Sequence, residues 1–186
     1  MFDQKNGYKY LVAFVLSIPA ANYMIGNIGT FCVPDGPCLI PVAPGLTAPS
    51  GVLMVGIALV LRDLVQKSLG MNWALGAILG GALLSGLFAS PELVLASTIA
   101  FLFSELADLA VYTPLQKNRL VVAVVASGIV GLVIDSALFL YVAFGSFDYI
   151  GGQIVGKMWM ILLAIPVIQY LRKREETEID ETEQQS

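Results

Sequence analysis

Two carboxylates, Glu105 and Asp108, lie within the apolar segment of residues 101–113, whose sequence is FLFSELADLAVYT. At about 100° per residue the two side chains are about 60° apart on one helix face, and Tyr112 follows on that face. A carboxylate at bilayer depth costs roughly 3 kcal/mol on insertion scales, so it usually faces a bundle interior or a watery cavity. The pair therefore indicates a pathway or site for an ion, a proton or a polar solute.

Two more charged residues, Asp135 and Lys157, lie deep within later apolar segments. One interpretation is a buried ion pair of Lys157 with Asp135 or Glu105. In the other, the carboxylates accept hydrogen bonds from a planar ligand edge with adjacent N–H donors, such as a guanine-like ring. Lys157 would then offset their charge or donate to a ligand carbonyl. The candidate substrate-binding residues are Asn22, Glu105, Asp108, Asp135 and Lys157.

Arg62 and Asp63 follow the second apolar run and are predicted to lie at its membrane boundary. There, the long Arg62 side chain is expected to extend toward water while Asp63 caps the helix or pairs locally. These positions favour a gate or a structural clamp over direct contact with a solute. Asn22, in the first apolar segment, is equally able to bond to a neighbouring helix or to a ligand.

The composition indicates an integral membrane protein, because 57% of the residues are hydrophobic and 13% are charged. At about 20 residues per crossing, a chain of 186 residues holds at most roughly six helical spans. We predict an all-α, polytopic fold with six transmembrane helices in one domain, residues 1–171. The apolar windows place the spans near residues 8–27, 50–65, 72–89, 92–113, 120–144 and 150–171.

The positions of the cations predict the orientation of this domain. An N-inside path of six crossings puts all Lys and Arg residues except Lys157 at cytoplasmic ends or connections. The opposite connections, residues 29–49, 90–91 and 145–149, contain no Lys or Arg. The positive-inside rule therefore predicts cytoplasmic termini in a bacterial-type inner (plasma) membrane, crossed several times. Residues 172–186 are predicted to be an acidic, disordered cytoplasmic tail.

The long connection at residues 29–49 contains five prolines and is not expected to form a regular helix. Cys32 and Cys38 bracket a Pro-Asp-Gly-Pro turn on the oxidising side, where a disulfide persists; two free thiols are the alternative. Because the chain has no His and only two Cys, we predict no catalytic zinc or other metal site. We predict no cofactor.

Small residues in the third apolar segment predict a close helix contact. Ala77, Gly81, Ser85 and Ala89 recur at four-residue spacing, and Gly76 and Gly80 form a GxxxG pair beside them. Such a stripe lets helix backbones approach closely. Packing within the bundle is the leading interpretation, and a homodimer through this face is the second.

Four motifs together resemble the VUT family, formerly a domain of unknown function, whose characterised branch comprises queuosine precursor transporters. The motifs are Ala21-Asn22, Leu61-Arg-Asp-Leu-Val-Gln-Lys-Ser-Leu-Gly70, Ser104-Glu-Leu-Ala-Asp-Leu-Ala-Val-Tyr-Thr113 and Ile134-Asp-Ser-Ala-Leu-Phe139. The polar positions of the family match Asn22, Asp63, Glu105, Asp108 and Asp135. The chain departs from the family at Lys67, where many members have an acid, and at Gly128, where many have Asn.

The resemblance implies a single six-helix protein that imports 7-cyano-7-deazaguanine or its 7-aminomethyl relative for queuosine synthesis in tRNA. It implies a small-molecule 7-deazapurine substrate and the lipid bilayer as partners, without nucleic acid and without enzymatic activity. An alternative is the substrate-binding subunit of an ATPase-driven vitamin importer. A lower alternative is an intramembrane aspartyl protease that uses Asp108 and Asp135. The chain lacks a P-loop, so its energy comes from a gradient or from a partner, which the sequence leaves open.

Overall fold

The computed structural model describes residues 4–34, 36–89, 91, 93–117 and 119–184. This part of the chain contains six helices: α1 Gln4–Asn27, α2 Val52–Leu69, α3 Met71–Phe88, α4 Val94–Leu115, α5 Leu120–Phe144 and α6 Ile150–Gln184. Between α1 and α2 lie three short strands: β1 Phe31–Cys32, β2 Cys38–Ala43 and β3 Leu46–Pro49. The chain is a helical membrane protein, as its composition predicts, and each of the six apolar windows forms one helix.

Five of the helices are long and apolar enough to cross a membrane. They are α1, α3, α4, α5 and the first part of α6, Ile150–Tyr170. The remaining helix, α2, has 18 residues and carries Arg62, Asp63 and Lys67. These charges distinguish α2 from the other five helices. The place of α2 in the bundle shows how Arg62 and Asp63 are accommodated.

Helix α2 lies at the centre of the bundle and packs against all five other helices. At one end, Ser50 Oγ donates a hydrogen bond of 2.6 Å to the carbonyl of Met24, near the end of α1. At the other end, Leu69 lies directly against Gly7, near the start of α1. The two helices are therefore antiparallel and run beside each other along the whole of α2. We call the end with the strands the sheet side and the opposite end the termini side.

The three strands form an antiparallel sheet in the order β1-β2-β3. Residues 31 and 32 pair with 39 and 38, and Cys32 is joined to Cys38 by a disulfide. The sheet packs on α6, where Trp159 Nε1 donates a hydrogen bond of 3.1 Å to the Val42 carbonyl. Gly152 of α6 lies so close to the carbonyl of Thr47 that a side chain would collide with it. The proline-rich connection is thus a folded cap that rests on the sheet-side end of the bundle.

The termini half of the bundle is filled by apolar side chains. The largest buried cluster combines α2, α4, α5 and α6 and consists of Leu59, Val60, Leu64, Tyr112, Leu120, Ala123, Val124, Leu132, Ile161 and Ile168. Close packing of this kind excludes water because few gaps between the side chains exceed a methyl group. The space for a ligand must therefore lie elsewhere in the bundle.

Helix α3 divides its small residues between two faces. Ala77, Gly81 and Ser85 are buried, and Gly81 lies against Phe101 and Ile18, as packing within the bundle requires. A Cβ atom at Gly76 or Gly80 would meet nothing within 4 Å, so the GxxxG pair faces away from the bundle. The two overlapping patterns in the sequence therefore have different environments.

Helix α6 continues to Gln184, through most of the segment 172–186 that the composition predicts to be disordered. No Pro or Gly interrupts residues 172–184, and Arg, Lys, Glu and Gln are good helix formers. High charge therefore does not oppose a helix that already begins within the bundle. The assignment of residues 172–186 to a separate acidic tail stays a prediction.

Candidate functional site

A cavity of about 700 Å³, counting the space at its mouth, lies in the sheet-side half of the bundle. Its walls come from the sheet-side halves of α1, α2, α4, α5 and α6, with Ser85 of α3 and Pro49 of β3. The polar and charged residues that line it are Ser17, Asn22, Ser85, Ser97, Ser104, Glu105, Asp135, Gln153 and Lys157. Phe101 and Phe139 supply aromatic surface. A concave site with mostly apolar walls and a few converging polar groups is typical of small-molecule binding.

Lys157 holds together one polar network in the cavity wall. Its Nζ donates hydrogen bonds to Asp135 Oδ2 at 2.6 Å, to Ser136 Oγ at 2.8 Å and to Gln153 Oε1 at 2.6 Å. The ammonium therefore has three partners for its three protons, which is the requirement for a buried cation. The Asp135 side chain keeps 10% of its surface exposed, whereas Lys157 keeps 1%. Asp135 thus offers the more accessible polar surface of this pair.

A second network surrounds Arg62, which is fully buried. Its Nε donates a hydrogen bond of 3.0 Å to Glu105 Oε2, and its Nη2 donates to Asp108 Oδ1. Its Nη1 donates to Gln66 Oε1 at 3.2 Å and lies 2.9 Å from Asp63 Oδ1. The planar guanidinium therefore joins α2 to α4 through two carboxylates and also contacts two residues of its own helix, as its fork of donors allows. We call Arg62, Asp63, Glu105 and Asp108 the Arg62 cluster.

Glu105 belongs to both the cluster and the cavity. Its Oε2 accepts the hydrogen bond from Arg62, while no donor among the described residues bonds to its Oε1. A carboxylate has two oxygens and room for several hydrogen bonds. Glu105 is therefore positioned to accept a ligand N–H without giving up Arg62.

The termini side of the cluster is formed by Asp63, Asp108 and Ser127 of α5. Ser127 Oγ donates a hydrogen bond of 3.2 Å to Asp63 Oδ2. Helix α5 comes close here because it has Gly131, where a Cβ atom would lie 3.1 Å from Asp108 Oδ2. Tyr112 lies beneath the guanidinium, with Arg62 Cζ 5.7 Å from the ring centroid, a cation–π distance. These contacts join three helices around the carboxylates.

The structure separates the residues that the sequence groups as one site. Asn22, Glu105, Asp135 and Lys157 line the cavity, as the substrate-binding hypothesis requires of them. Asp108 is not among the lining residues and is 0% exposed. Its carboxylate bonds to Arg62 instead, since the helix face it shares with Glu105 turns toward α2 at that level.

The expectation that Arg62 extends to a membrane boundary is wrong. Helix α2 continues to Leu69, so Arg62 is about 10 Å from the termini-side end of its helix. The side chain turns inward because Glu105 and Asp108 offer it better partners than water at the end of the helix. Asp63 is also buried, which fits a clamp within the bundle.

Several site residues were missed by the reasoning from the sequence. Gln153 and Ser136 both accept hydrogen bonds from Lys157, and Phe101 and Phe139 line the cavity. For Gln153 a signal existed, because it lies four residues before Lys157 and therefore on the same helix face. The two phenylalanines carry no such signal, since aromatic residues occur on every face of these helices.

Asn22 lines the cavity, and its Nδ2 donates a hydrogen bond of 3.0 Å to the Ile18 carbonyl. That bond uses one of its two amide protons. Within the described residues, no group of three or more His, Cys, Asp or Glu side chains is arranged to hold a metal ion. The site is thus built from hydrogen-bonding and charged groups beside aromatic surface.

A family model described as "putative vitamin uptake transporter" matches residues 82–171, just under half of the chain. The matched region contains Glu105, Asp108, Asp135 and Lys157. Among curated proteins and solved structures, none matches the chain significantly. The motifs and the family model indicate the same family, and residues 82–171 of this multi-pass membrane protein match the vitamin uptake transporter (VUT) family.

Proposed function

We propose that this protein is a transporter that imports a 7-deazaguanine, 7-cyano-7-deazaguanine or its 7-aminomethyl relative, for queuosine synthesis in tRNA. The observation that carries the proposal is the cavity, in which Glu105 and Asp135 face one space together with Lys157. The family match supports transport, and the motif resemblance supports the choice of ligand.

The polar groups of the cavity suit the edge of a guanine-like ring. Such a ring presents a ring N–H and an exocyclic amine side by side, and a carboxylate accepts both. Glu105 has one oxygen without a donor among the described residues, and Asp135 is partly exposed. The neighbouring ring carbonyl needs a donor, which the Gln153 amide nitrogen provides, because Lys157 bonds only to the oxygen of that amide. Phe101 or Phe139 offers a face on which a planar base stacks.

We propose six spans with both termini in the cytoplasm of a bacterial-type inner membrane. Helix α2 is included because it runs the length of α1 at the centre of the bundle and buries Arg62 and Asp63. Arg62 no longer counts toward the charge bias, since it lies within the bundle. The other cations assigned to the inside still fall at termini-side ends or connections, and the sheet-side connections have none.

The test is uptake and binding by variants of the two cavity carboxylates. Glu105→Gln and Asp135→Asn each remove a charged acceptor, and a hydrogen bond to a charged group contributes about 1.5–3 kcal/mol. We expect affinity for the deazaguanine to fall about tenfold or more in each variant. The measurements are calorimetric binding to the purified protein and uptake of labelled precursor by cells that cannot make it.

The matched control is Asp148→Asn, which changes an exposed carboxylate on the sheet side that pairs with Ser146. It should bind the deazaguanine as the wild type does. If Glu105→Gln and Asp135→Asn both bind the deazaguanine with wild-type affinity, the proposed site is wrong.

The description of the family favours a second candidate ligand, a vitamin. In this second proposal an ATPase partner supplies the energy. A panel of deazapurines, purines and vitamins in a thermal-shift assay separates the two, because a ligand raises the melting temperature of the state it binds. Stabilisation by a vitamin, together with copurification of an ATPase pair, would favour the vitamin importer.

The protease alternative has little structural support. Asp108 bonds to Arg62 and Asp135 to Lys157, so these two carboxylates do not form a pair that shares a proton. We therefore propose transport rather than catalysis.

A further inference from the structure

The Arg62 cluster contains more acids than bases. Arg62, Asp63, Glu105 and Asp108 are each at most 1% exposed. Among the described residues, the guanidinium is the cation that pairs with these three carboxylates. If all three were ionised, two negative charges would be buried without compensation. Charges in a protein interior are tolerated when they are paired, so the cluster needs further positive charge.

The neighbouring helices do not supply the missing positive charge. On α6, Lys157 is bonded to Asp135 of α5, and that pair is neutral by itself. On α4, Tyr112 is the other titratable group near the cluster, and a phenol cannot compensate a negative charge. The remaining contacts are the neutral side chains of Gln66 and Ser127. A proton bound by the cluster itself is the simplest compensation, and one such proton lowers the excess from two negative charges to one.

The geometry of Asp63 and Asp108 shows where a proton fits. The two carboxyl groups are held side by side by one guanidinium, because Arg62 Nη1 lies 2.9 Å from Asp63 Oδ1 and Arg62 Nη2 bonds to Asp108 Oδ1. Both Asp63 Oδ1 and Asp108 Oδ2 are buried without a hydrogen bond from any described residue, and Asp63 Oδ1 has the ion-pair contact with Arg62 alone. Two ionised carboxylates cannot hydrogen-bond to each other, because neither has a donor. Two carboxyl groups at such a distance share one proton, since like charges do not both ionise there.

We propose that Asp63 and Asp108 form a proton-binding site that is occupied while the termini half of the bundle is closed. The site joins α2, α4 and α5 immediately beside the apolar core of that half. If α2 and α4 separate, water enters, the shared O–H bond breaks and the proton passes to water on the termini side. The two carboxylates then remain near Arg62 in a hydrated environment, where their charge is tolerated.

The proton site has one consequence for transport, the coupling of proton movement to solute movement. This consequence rests on the proposed transport function. The solute occupies the cavity on the sheet side, while the proton is held between the cavity and the termini side. Opening of the termini half releases both to the same side. With the proton taken up from the sheet side, as the solute is, both move in one direction, as in a symporter.

The first experiment does not depend on the solute. Infrared spectra of the purified wild-type protein near neutral pH should contain the C=O stretching band of a protonated carboxylic acid within the membrane domain. The band should be absent from Asp63→Asn and from Asp108→Asn, and it should persist in Asp148→Asn. Each asparagine variant keeps the size of the side chain and provides an amide donor, so folding is favoured. Absence of the band from the wild type, or its persistence in both asparagine variants, would overturn the proposal.

The second experiment measures coupling in proteoliposomes whose membrane potential is clamped. If one proton accompanies each solute, an inward gradient of one pH unit should raise the accumulation of the deazaguanine by up to about tenfold. Asp63→Asn and Asp108→Asn should bind the deazaguanine but show no response to the gradient. Wild-type uptake that ignores the gradient would refute symport. If no deazaguanine is bound or accumulated at all, the proposed substrate fails, and the infrared band still decides the proton site.

Discussion

Replacing Arg62 by Met tests whether the Arg62 cluster holds the bundle together. The change removes the hydrogen bonds to Glu105, Asp108 and Gln66 and the contact with Asp63, and it keeps a side chain of similar length. Removing one partner of a buried ion pair costs about 3–5 kcal/mol, since the remaining charge is left without compensation. The variant can instead protonate a carboxyl group. At pH 7 this costs an ordinary carboxyl group about 4 kcal/mol, so the two routes give similar losses.

We therefore expect Arg62→Met to lose about 4 kcal/mol of the free energy of unfolding. For a chain of this size the loss lowers the melting temperature by roughly 8–16 °C. Arg62→Lys should fall between this variant and the wild type, because an ammonium keeps the charge but cannot bond in the fixed fork of a guanidinium. The assay is thermal unfolding in detergent, followed by the fluorescence of the two tryptophans.

The matched control is Lys67→Met, which removes a cation from the last turn of the same helix. It should change stability by no more than about 0.5 kcal/mol. A second control combines Arg62→Met with Glu105→Gln and Asp108→Asn, which removes two of the three acids that Arg62 pairs with and should recover part of the loss. If Arg62→Met is as stable as Lys67→Met, the cluster does not hold the helices together and the reasoning is refuted.

Three further predictions concern the other close contacts. Lys157→Met should lower the free energy of unfolding by about 3 kcal/mol, because it leaves Asp135 buried without its cation. The double variant with Asp135→Leu should recover most of this loss. No recovery would mean that the pair is not coupled. Gly152→Ala should lower the free energy of unfolding by about 1–3 kcal/mol because the new methyl group collides with the Thr47 carbonyl. The control Gly151→Ala should not destabilise the protein, because its Cβ would lie 3.8 Å from the nearest atom, in Leu46. Equal stability of the two variants would mean that the cap does not rest on α6. Gly56→Ala should likewise lower the melting temperature, since its Cβ would lie 2.9 Å from the Lys157 carbonyl oxygen. The control Gly76→Ala should leave the melting temperature unchanged or raise it. A lower melting temperature for Gly76→Ala than for Gly56→Ala would contradict the packing of α2 on α6.

Most of the helical architecture could be predicted from the sequence. The apolar windows match the helices to within a few residues at nearly every end, because each window is bounded by Pro, Gly or charge. The windows underestimated α2, since Arg62, Asp63 and Lys67 look like the end of a span. The small sheet was not predicted either, because five prolines in a short segment exclude a helix without specifying a strand register.

Four of the five predicted substrate-binding residues line the cavity, and the pair of Lys157 with Asp135 is one of the two pairings that the sequence offered, whereas the pairing of Arg62 with Glu105 and Asp108 was not predicted. Asn22, Glu105, Asp135 and Lys157 line one cavity, as their depth in the apolar runs suggested. Residue spacing fixes which side chains share a face of one helix, but it does not fix how that face is rotated toward its neighbours. Glu105 and Asp108 share a face of α4, yet one contacts the cavity and the other is enclosed behind Arg62.

By itself, the sequence determined that this is a helical membrane protein with costly acids in its interior, because hydrophobicity and helical periodicity are local properties of the chain. Only the tertiary structure decided which cation neutralises which acid. The decision depends on how closely the helices approach, and small residues control that distance: Gly131 admits Asp108 beside α5, and Gly56 brings α2 against the backbone of Lys157. Charges that are buried between closely packed helices must pair or take up protons. For this reason Asp108 belongs to the Arg62 cluster and not to the cavity.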